Sequence, residues 1–291
     1  AMIALLLRSL VRAPVILDYQ GSLSRELVDH RFVSPRGLLR RLFARIEQWI
    51  ERRADVVIVS TGQALDLVRQ NRPNGRRTVV VEDAVDTTPA PGSATAEAAA
   101  RAYGLPEGRP IVVFMGLLTP YQGIDYLLEA IPAVFAERAD VHFLVIGFPE
   151  GEYRMRVAAR DIASSVTFTG KVPYEVTPAL LSLATVAVSP KVSQSEGNLK
   201  LYSYMAAGLP TVVFDTPVNR DILGDLGVYA PAGDSLAFAR GILALVGDAG
   251  RRSEIAARLR ERAARERSWD RQAERIEEVY RAVAPAVQGQ R

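Results

Sequence analysis

The stretch SPKVSQSEGNLKLYSYMAAGLPTVVFD, residues 189–215, carries the local pattern that decides the fold class. It reads as the end of a strand, a polar loop, a short helix stopped at Gly208, and a second strand of consecutive apolar residues. A corner at which a strand leads into a helix is where α/β proteins bind phosphorylated ligands, since helix N-termini attract anions. Glu196 and Lys200 lie in this corner, and we predict that both contribute to binding.

Similar strand-like runs recur along the whole chain, and helical segments separate most of them. Continuous apolar strands that alternate with helices indicate a parallel sheet covered on both faces. The alternation predicts the doubly wound α/β class. The runs lie at 14–18, 54–60 and 77–83, and then at 110–116, 141–147, 165–170, 184–190 and 210–215.

A segment rich in Ala, Pro and Gly, at 87–110, divides these runs into two groups. We therefore predict an N-terminal domain at 1–100, joined by part of the C-terminal helix, and a C-terminal domain at 101–291. The second domain has the strands of a complete Rossmann-like unit. The first has too few strands and no glycine-rich phosphate turn, so we expect it to be incomplete by roughly two βα units of ~30 residues or more.

Composition limits the possible chemistry. The 291 residues include no cysteine and only two histidines, His30 and His142, which excludes disulfides, thiolate metal sites and a centre built from several histidines. The net charge of +3 indicates an anionic partner or solvated helix faces. A nucleic-acid partner is not expected, because no aromatic stacking platform accompanies the basic residues. The first apolar run is shorter than the ~20 residues that span a bilayer.

The segment GLLRRLFARIEQWIERR, residues 37–53, has the periodicity of an amphipathic helix. Arg41, Arg45 and Arg52 fall along one edge of its apolar face. Either they are solvated arginines beside a core helix, or they contact an anionic membrane or a lipid phosphate. The apolar face, expected to be buried, consists of Leu38, Leu39, Leu42, Phe43, Ile46, Trp49 and Ile50.

Three corners of the C-terminal domain point to one ligand site. The first is MGLLTPYQGIDYLLEA, which contains Gly116, Gln122 and Gly123, and the second is GFPEG, which begins at Gly147. The third is the loop and helix within residues 189–215, quoted above. All three follow the carboxyl ends of predicted strands, where ligands bind to open α/β sheets. We therefore predict a nucleotide or phosphate site.

The combination of these corners with the linker and the segment YMAAGLPTVVFD resembles the retaining GT-B glycosyltransferases of family four. The N-terminal pieces VILDYQGSLSRELVDHRF, RIEQWIERRADVVIVST and VVVEDAVDTTP, and the final RSWDRQAERIEEVY, extend the resemblance over nearly the whole chain. It implies a GT-B fold of two Rossmann-like doubly wound domains. The donor would bind the second domain and the acceptor the first.

For the donor, the resemblance implies that Glu196, followed by Gly197, lies near the transferred sugar. The family's second, ribose-binding glutamate falls at Ser203, which offers a weaker hydrogen bond. Leu117 and Gln122 stand where relatives carry the cations that neutralise the diphosphate, so Lys200 is the expected substitute. Lys191 and Lys171 are further cations that could take this role. The loop residues Asn198 and Leu199 are the remaining donor-side candidates.

On the acceptor side the candidates follow the first predicted strand. Asp18, Gln20 and Ser22 come directly after it, and Gln20 stands near the position of an active-site histidine in many relatives. A glutamine cannot act as a general base, so we expect Gln20 to orient a hydroxyl group. The other acceptor-side candidates are His30, which is more often a packing residue in such a position, Arg41 and Arg45.

The resemblance implies transfer of a sugar from a nucleotide-diphosphate donor to a hydroxyl acceptor with retention, in the synthesis of a polysaccharide, glycolipid or other glycoconjugate. It implies no cofactor beyond the nucleotide sugar and no metal. We expect a cytoplasmic protein with peripheral contact to the inner membrane face, acting on a carbohydrate or lipid-linked acceptor. The alternative is a non-catalytic or incomplete homologue that binds nucleotides or sugars, or that needs a partner chain.

Overall fold

The computed structural model describes residues 1–11, 13–29, 32–72, 77–87, 91–160, 162–192 and 197–283. These residues form two compact units. The first unit comprises Ala1–Ala84, Gln194–Gly197 and Arg267–Arg291, and the second comprises Val85–Ser193 and Asn198–Glu266.

The first unit contains a parallel sheet with the strand order β1-β2-β3, and helices connect its strands. Its small core consists of Tyr19 and Ala54 with valines 57, 59 and 68, all of which are buried. Its elements are α1 (Met2–Val11), β1 (Ile16–Tyr19), α2 (Leu23–Asp29), α3 (Leu38–Arg53), β2 (Val56–Val59), α4 (Gly62–Asn71), β3 (Thr78–Val80) and, at the other end of the chain, α13 (Trp269–Val283).

The second unit contains six parallel strands in the order β6-β5-β4-β7-β8-β9, which confirms the predicted doubly wound α/β class. Strand β9 was not predicted, because GVYA offers only three consecutive apolar residues and is largely half-buried. The elements are α5 (Ser93–Ala102), β4 (Ile111–Met115), α6 (Ile124–Glu137), β5 (His142–Ile146), α7 (Gly151–Ala158), β6 (Val166–Gly170), α8 (Thr177–Ser182), β7 (Val186–Ser189), α9 (Lys200–Ala207), β8 (Thr211–Phe214), α10 (Pro217–Leu223), β9 (Gly227–Ala230), α11 (Ser235–Gly247) and α12 (Ala249–Glu266).

The core of the second unit forms because its central strands are apolar on both faces. Every residue of β5 is buried, including His142, and β4 is buried up to its last residue. Phe214 packs edge-on against Tyr126 of α6 and Phe238 of α11, with ring centroids 5.2 and 5.1 Å apart. Each fully buried aromatic ring stabilises the fold by about 1.5–3 kcal/mol. This core holds the strand ends, and the loops that follow them, in fixed positions.

Helix α3 differs from its sequence-based prediction. Leu38, Leu39 and Leu42 are exposed, with 80%, 59% and 52% of their surface accessible, although we expected all three in a buried face. Helical periodicity gives the direction of a side chain, but it cannot tell how far the packing partner extends along the helix. Arg41 and Arg45 are also exposed, so basic and apolar side chains share the first turns of α3.

An ion-pair cluster connects the C-terminal helix and the residues before it to the rest of the first unit. Arg267, only 3% exposed, pairs with Glu82, and Arg275 lies 3.5 Å from the same carboxylate. Burial and the charge of Arg275 lower the pKa of Arg267 to about 10. The cluster therefore depends on Glu82 as its counter-ion. Within the described ranges, no helix combines the length and the apolar composition that crossing a bilayer requires.

Candidate functional site

The sheet order of the second unit creates a topological switch point beside β4. Strand β5 pairs with one edge of β4 and strand β7 with the other, so the connections on the two sides run over opposite faces of the sheet. Ligands of such sheets bind beyond the carboxyl ends of these strands. Gly116 follows β4 directly, and Lys200 begins the helix that follows β7.

Lys200 lies at the centre of this edge. Its Nζ donates a hydrogen bond to Oε1 of Gln122 over 2.6 Å and lies 4.7 Å from the ring centroid of Phe114. It also lies 3.1 Å from the point that a Cβ on Gly116 would occupy. The contact with Gln122 fixes the position of the ammonium group through a neutral oxygen. The acceptor in this bond is neutral, so the bond itself does not cancel the charge of the ammonium group.

Close backbone packing requires glycine at two of the predicted corners. Gly123 has φ 81°, and a Cβ there would lie 1.8 Å from the carbonyl oxygen of Pro190. A Cβ on Gly147 would lie 1.9 Å from the carbonyl oxygen of Gly116. These contacts bring the loops after β4, β5 and β7 together. The structure thus gathers Gly116, Gly123 and Gly147 with the Lys200–Gln122 pair at one edge.

A buried polar network holds the start of α9. The side chain of Asn198 donates to Oγ of Ser189 over 3.1 Å and to Oδ1 of Asn219 over 2.8 Å. One turn further on, the hydroxyl of Tyr204 accepts a hydrogen bond from the backbone N–H of Met115 over 2.8 Å. The side-chain amide of Asn198 therefore positions the loop, and its predicted contact with the donor stays a prediction.

The other donor-side candidates occupy different surroundings. Lys191 is 3% exposed, and its Nζ lies 5.8 Å from the ring centroid of Tyr121 in the loop after β4. Leu199 is 60% exposed, in the turn directly before Lys200. Glu196, which the resemblance places near the transferred sugar as a catalytic candidate, lies outside the described residues, so its role stays a prediction.

Ser203 lines a separate cavity of about 250 Å³ in the second unit. The other walls include Tyr174 and Thr177, near the start of α8, and Arg260 of α12. Arg260 donates to the backbone oxygen of Ala207 over 3.2 Å. In the described part of the chain, the structure does not place Ser203 among the contacts of Lys200, so the two predicted donor residues face different surroundings.

On the first unit, the predicted acceptor residues lie at the carboxyl end of β1. Nε2 of Gln20 donates to Oδ1 of Asp18 over 2.6 Å. Burial and the charge of Asp18 raise the pKa of nearby Asp83 to about 6. A Cβ built on Gly197 would lie 4.0 Å from Oδ2 of Asp83. The charge of Asp18 thus acts directly on the ionisation of Asp83.

Ser22 is buried, and its hydroxyl donates to Oε2 of Glu47 over 3.1 Å. His30, another acceptor-side candidate, lies outside the described residues. Arg41 and Arg45 are exposed on α3. The structure therefore groups Ser22 with Asp18 and Gln20 on the same strand end, while the two arginines lie along a helix surface.

Sequence reasoning missed three carboxylates of the first unit, namely Asp83, Glu47 and Glu51. Asp83 was not among the predicted site residues, because its neighbours in space come from distant parts of the sequence. Glu47 and Glu51 are spaced by one helical turn in the arginine-rich segment RIEQWIERR. Two acids one helical turn apart on an otherwise apolar face were a signal that could have indicated a polar site.

The fold defines a Rossmann-like α/β protein, and the switch-point edge is where sheets of this class bind their ligands. Two protein-family models match consecutive parts of the chain. Residues 109–248 match "Glycosyl transferases group 1", and residues 1–84 match "Glycosyl transferase 4-like domain". The two parts of the chain are therefore similar to a group 1 glycosyltransferase domain and to a glycosyltransferase 4-like domain, in agreement with the resemblance seen in the sequence.

Curated relatives agree with this family. The chain is 32% identical over 185 residues to a phosphatidyl-myo-inositol mannosyltransferase of Mycobacterium leprae, a match that covers 62% of this chain and 49% of the relative. It is 30% identical over 233 residues to a 2-deoxystreptamine N-acetyl-D-glucosaminyltransferase of Streptomyces fradiae, which covers 76% of this chain and 54% of the relative. The chain thus spans about half the length of the curated relatives it matches.

Among solved structures, the chain resembles Anabaena HepE in complex with UDP-glucose. The TM-score is 0.82 at 15% identity, and the match covers 97% of this chain and 76% of that chain. At this level of identity the likeness concerns the fold. It confirms the predicted GT-B fold class, with its two parallel-sheet domains.

Proposed function

We propose that this protein transfers a sugar from a nucleotide-diphosphate donor to a hydroxyl group of an acceptor, with retention at the anomeric carbon. The single observation that carries the proposal is the position of the Lys200 ammonium group, 2.6 Å from Gln122, at the switch point of the second unit. The family resemblance is the support for retention. The donor binds the second unit, and the acceptor binds the first.

In this reaction Lys200 would stabilise the leaving group. Negative charge develops on the diphosphate as the bond to the sugar breaks, and a preorganised cation lowers the barrier if it binds that charge more strongly in the transition state. The N-terminal N–H groups of α6, which follow Gly123, supply a second favourable field for an anion. We propose that these groups replace the pair of cations that relatives place near Leu117 and Gln122, and that the reaction needs no metal.

On the first unit, we propose that Asp18, Gln20 and Ser22 orient the acceptor. Gln20 can donate to or accept from a hydroxyl group, but it cannot remove a proton. Asp83, whose pKa is raised to about 6, is the better placed carboxylate to share a proton near neutral pH. The relatives' names, a phosphatidyl-myo-inositol mannosyltransferase and a 2-deoxystreptamine transferase, support a hydroxyl of a ring polyol in glycolipid or glycoconjugate synthesis.

We further propose that the first turns of α3 contact an anionic membrane surface. Leu38, Leu39 and Leu42 present apolar side chains, and Arg41 and Arg45 lie among them. An interfacial helix combines these features, because apolar residues enter the headgroup region while arginines attract anionic lipids. Such contact would hold the protein near a lipid-linked acceptor.

Calorimetry with UDP, GDP and ADP tests the donor site. We expect one nucleotide to bind best and Lys200→Ala to weaken that binding about tenfold or more, because a hydrogen bond to a charged group contributes about 1.5–3 kcal/mol. Arg101→Ala is the control, since Arg101 is an exposed cation of the same unit that pairs with Glu97. Equal binding by wild type and Lys200→Ala would overturn the assignment.

Transfer is then measured with sugar conjugates of the best nucleotide, and proton NMR of the product reports the anomeric configuration. An inverted product would contradict retention. Nucleotide binding without transfer to any hydroxyl acceptor would favour the alternative, a nucleotide-binding module. The replacement of the ribose-binding glutamate by Ser203 is the observation that favours that alternative.

A further inference from the structure

The first unit contains a cavity of about 250 Å³ between the end of β1 and helix α3. Apolar walls come from Leu17 and from Phe43, Ile46 and Ile50 on α3, and Tyr19 adds an aromatic ring. Four carboxylates also line it: Asp18 and Glu26 on the β1–α2 side, and Glu47 and Glu51 on α3.

Glu51 is the most unusual of these groups, because it is only 2% exposed. Nδ2 of Asn71 donates to its Oε2 over 3.0 Å, and among the described residues its Oε1 accepts no hydrogen bond and meets no cation within 4.0 Å. A buried carboxylate is unfavourable unless it is paired and hydrogen-bonded. Burial, together with the charge of Glu47, raises the pKa of Glu51 to about 7. Among the described residues no cation pairs directly with this carboxylate, and the charges of Arg72 and Arg52 only partly offset the rise in its pKa.

Glu47 lies one helical turn before Glu51 and faces the same cavity. Its Oε2 accepts the hydroxyl of Ser22 over 3.1 Å, and in the part of the chain that the structure describes Glu47 has no ion pair. Burial and the charges of Glu47 and Glu51 raise the pKa of the Tyr19 phenol, so Tyr19 stays protonated. The lining of the cavity is therefore acidic, while Arg25, Arg52 and Arg72 act on its groups from outside the lining.

The arrangement does not suit a metal ion. No three acidic or histidine side chains of the described residues converge closely enough to hold one. The carboxylates instead line the cavity at separate points, around an apolar and aromatic floor. This pattern matches a ring that carries separate positive charges, since ammonium groups pair with carboxylates while ring carbons pack on apolar walls.

We propose that this cavity binds an amine-bearing cyclic polyol, an amino sugar or aminocyclitol, as the acceptor. One ammonium group pairs with Glu51 and Glu47, and the ring packs against Tyr19 and Ile46. A hydroxyl of the same ring lies toward Asp18 and Gln20 at the end of β1. An acceptor that carries a phosphate is repelled by the same carboxylates. The acceptor role rests on the proposed function, whereas binding of the amine does not.

Calorimetric titration of the full chain tests this proposal. The probe is 2-deoxystreptamine, and myo-inositol is its neutral control, since both are six-membered polyol rings. We expect the diamine to bind at least about tenfold more tightly, which corresponds to one charged pair. Binding should also release protons near pH 7, because an ammonium ion favours the ionised form of Glu51. Titration in two buffers of different ionisation enthalpy measures that release.

Three variants locate the site. Glu51→Gln should weaken diamine binding about tenfold or more and abolish the proton release, and Ile46→Trp should block binding by filling the cavity without changing its charge. Glu274→Gln is the matched control, because Glu274 is an exposed acid of the same unit. Equal affinity for both rings, unchanged binding by Glu51→Gln and Ile46→Trp, or tight Mg²⁺ or Ca²⁺ binding lost in Glu51→Gln would each overturn the proposal.

The outcomes separate this proposal from the proposed function. If a nucleotide binds in a Lys200-dependent manner and the diamine does not bind, the acceptor class is wrong and the transferase assignment stands. If the diamine binds but no nucleotide does, the transferase assignment fails, and with it the acceptor role of the cavity. If both bind and sugar is transferred to myo-inositol but not to the diamine, the acceptor role is again overturned.

Discussion

The ammonium group of Lys200 donates a hydrogen bond to the side-chain oxygen of Gln122 over 2.6 Å, and this bond joins the helix after β7 to the loop after β4. The two residues are 78 positions apart in sequence. They meet because β4 and β7 are neighbours in the sheet and because Gly123 allows the loop to pass close to Pro190. A lysine and a neutral amide thus occupy the edge at which the proposed donor diphosphate binds.

The charge of residue 122 should control nucleotide affinity. We expect Gln122→Glu to weaken nucleotide binding about tenfold or more, because a carboxylate neutralises Lys200 and repels a diphosphate. Gln122→Met removes the hydrogen bond without adding charge, so its effect should be clearly smaller. Isothermal titration with the best nucleotide measures both. Equal effects of the two substitutions would show that the charge of Lys200 is not used.

Gly123→Ala should destabilise the second unit by more than about 2 kcal/mol, since a left-handed backbone penalises a side chain and the new Cβ would clash with Pro190. The control is Gly151→Ala at the start of α7, where a Cβ meets nothing within 4 Å. That change should alter stability by no more than about 1 kcal/mol. Urea unfolding compares the two variants, and similar losses would contradict the close approach.

Removing the charge of Glu82 should destabilise the first unit by about 3–5 kcal/mol, because Glu82→Gln leaves Arg267 buried without its counter-ion. Glu274→Gln removes an acid of the exposed pair with Arg271, so a change of less than about 1 kcal/mol is expected there. Thermal unfolding of the wild type and of each variant measures these losses of stability. A loss in Glu82→Gln as small as in the control would show that the cluster contributes little.

His142 should make stability depend on pH in the acidic range. Burial, together with the charge of Arg109, lowers the pKa of His142 to about 4, and Nε2 lies 2.9 Å from Oγ1 of Thr167. The unfolded chain takes up the proton near pH 6.5 and the folded chain only near pH 4, so acid favours unfolding. This group contributes a loss of about 2 kcal/mol near pH 5 relative to pH 8.

The check is urea unfolding of wild type and His142→Gln at both pH values. The variant should lose less stability on acidification than wild type, whatever its stability at pH 8. The comparison is needed because the raised pKa values of Glu51 and Asp83 act in the opposite direction. A raised pKa of a buried acid makes the folded state more favourable as the pH falls. Identical pH slopes in the two proteins would contradict the role of His142.

Charge reversal on α3 should reduce binding to anionic vesicles. We expect Arg41→Glu combined with Arg45→Glu to lower partitioning at least about tenfold, since each basic residue near the surface contributes about 1 kcal/mol. Arg271→Glu combined with Arg281→Glu, on α13, changes the net charge equally. Vesicle sedimentation with and without anionic lipid measures the difference. Wild-type binding that does not depend on anionic lipid would contradict the membrane contact.

Much of the second unit could be predicted from sequence, because its strands are apolar on consecutive positions and therefore buried wherever they lie in the sheet. The glycines at positions 116, 123 and 147 and the cation Lys200 were also identified, since each follows a predicted strand. Strand β9 was missed for the opposite reason, because it is half-buried at the sheet edge. The exposed leucines of α3 were misplaced because periodicity does not reveal where a packing partner ends.

The sequence by itself determined the α/β class, the resemblance to glycosyltransferases, and the position of the corner SEGNLKLYSYMAAGLP between a strand and a helix. These properties follow from local patterns of apolar residues, glycines and helix starts. Only the tertiary structure decided that Gln122 holds Lys200, that Asn198 supports the loop, and that Glu47 and Glu51 face a cavity. Those relationships depend on which strands and helices become neighbours, and packing of distant segments fixes that choice.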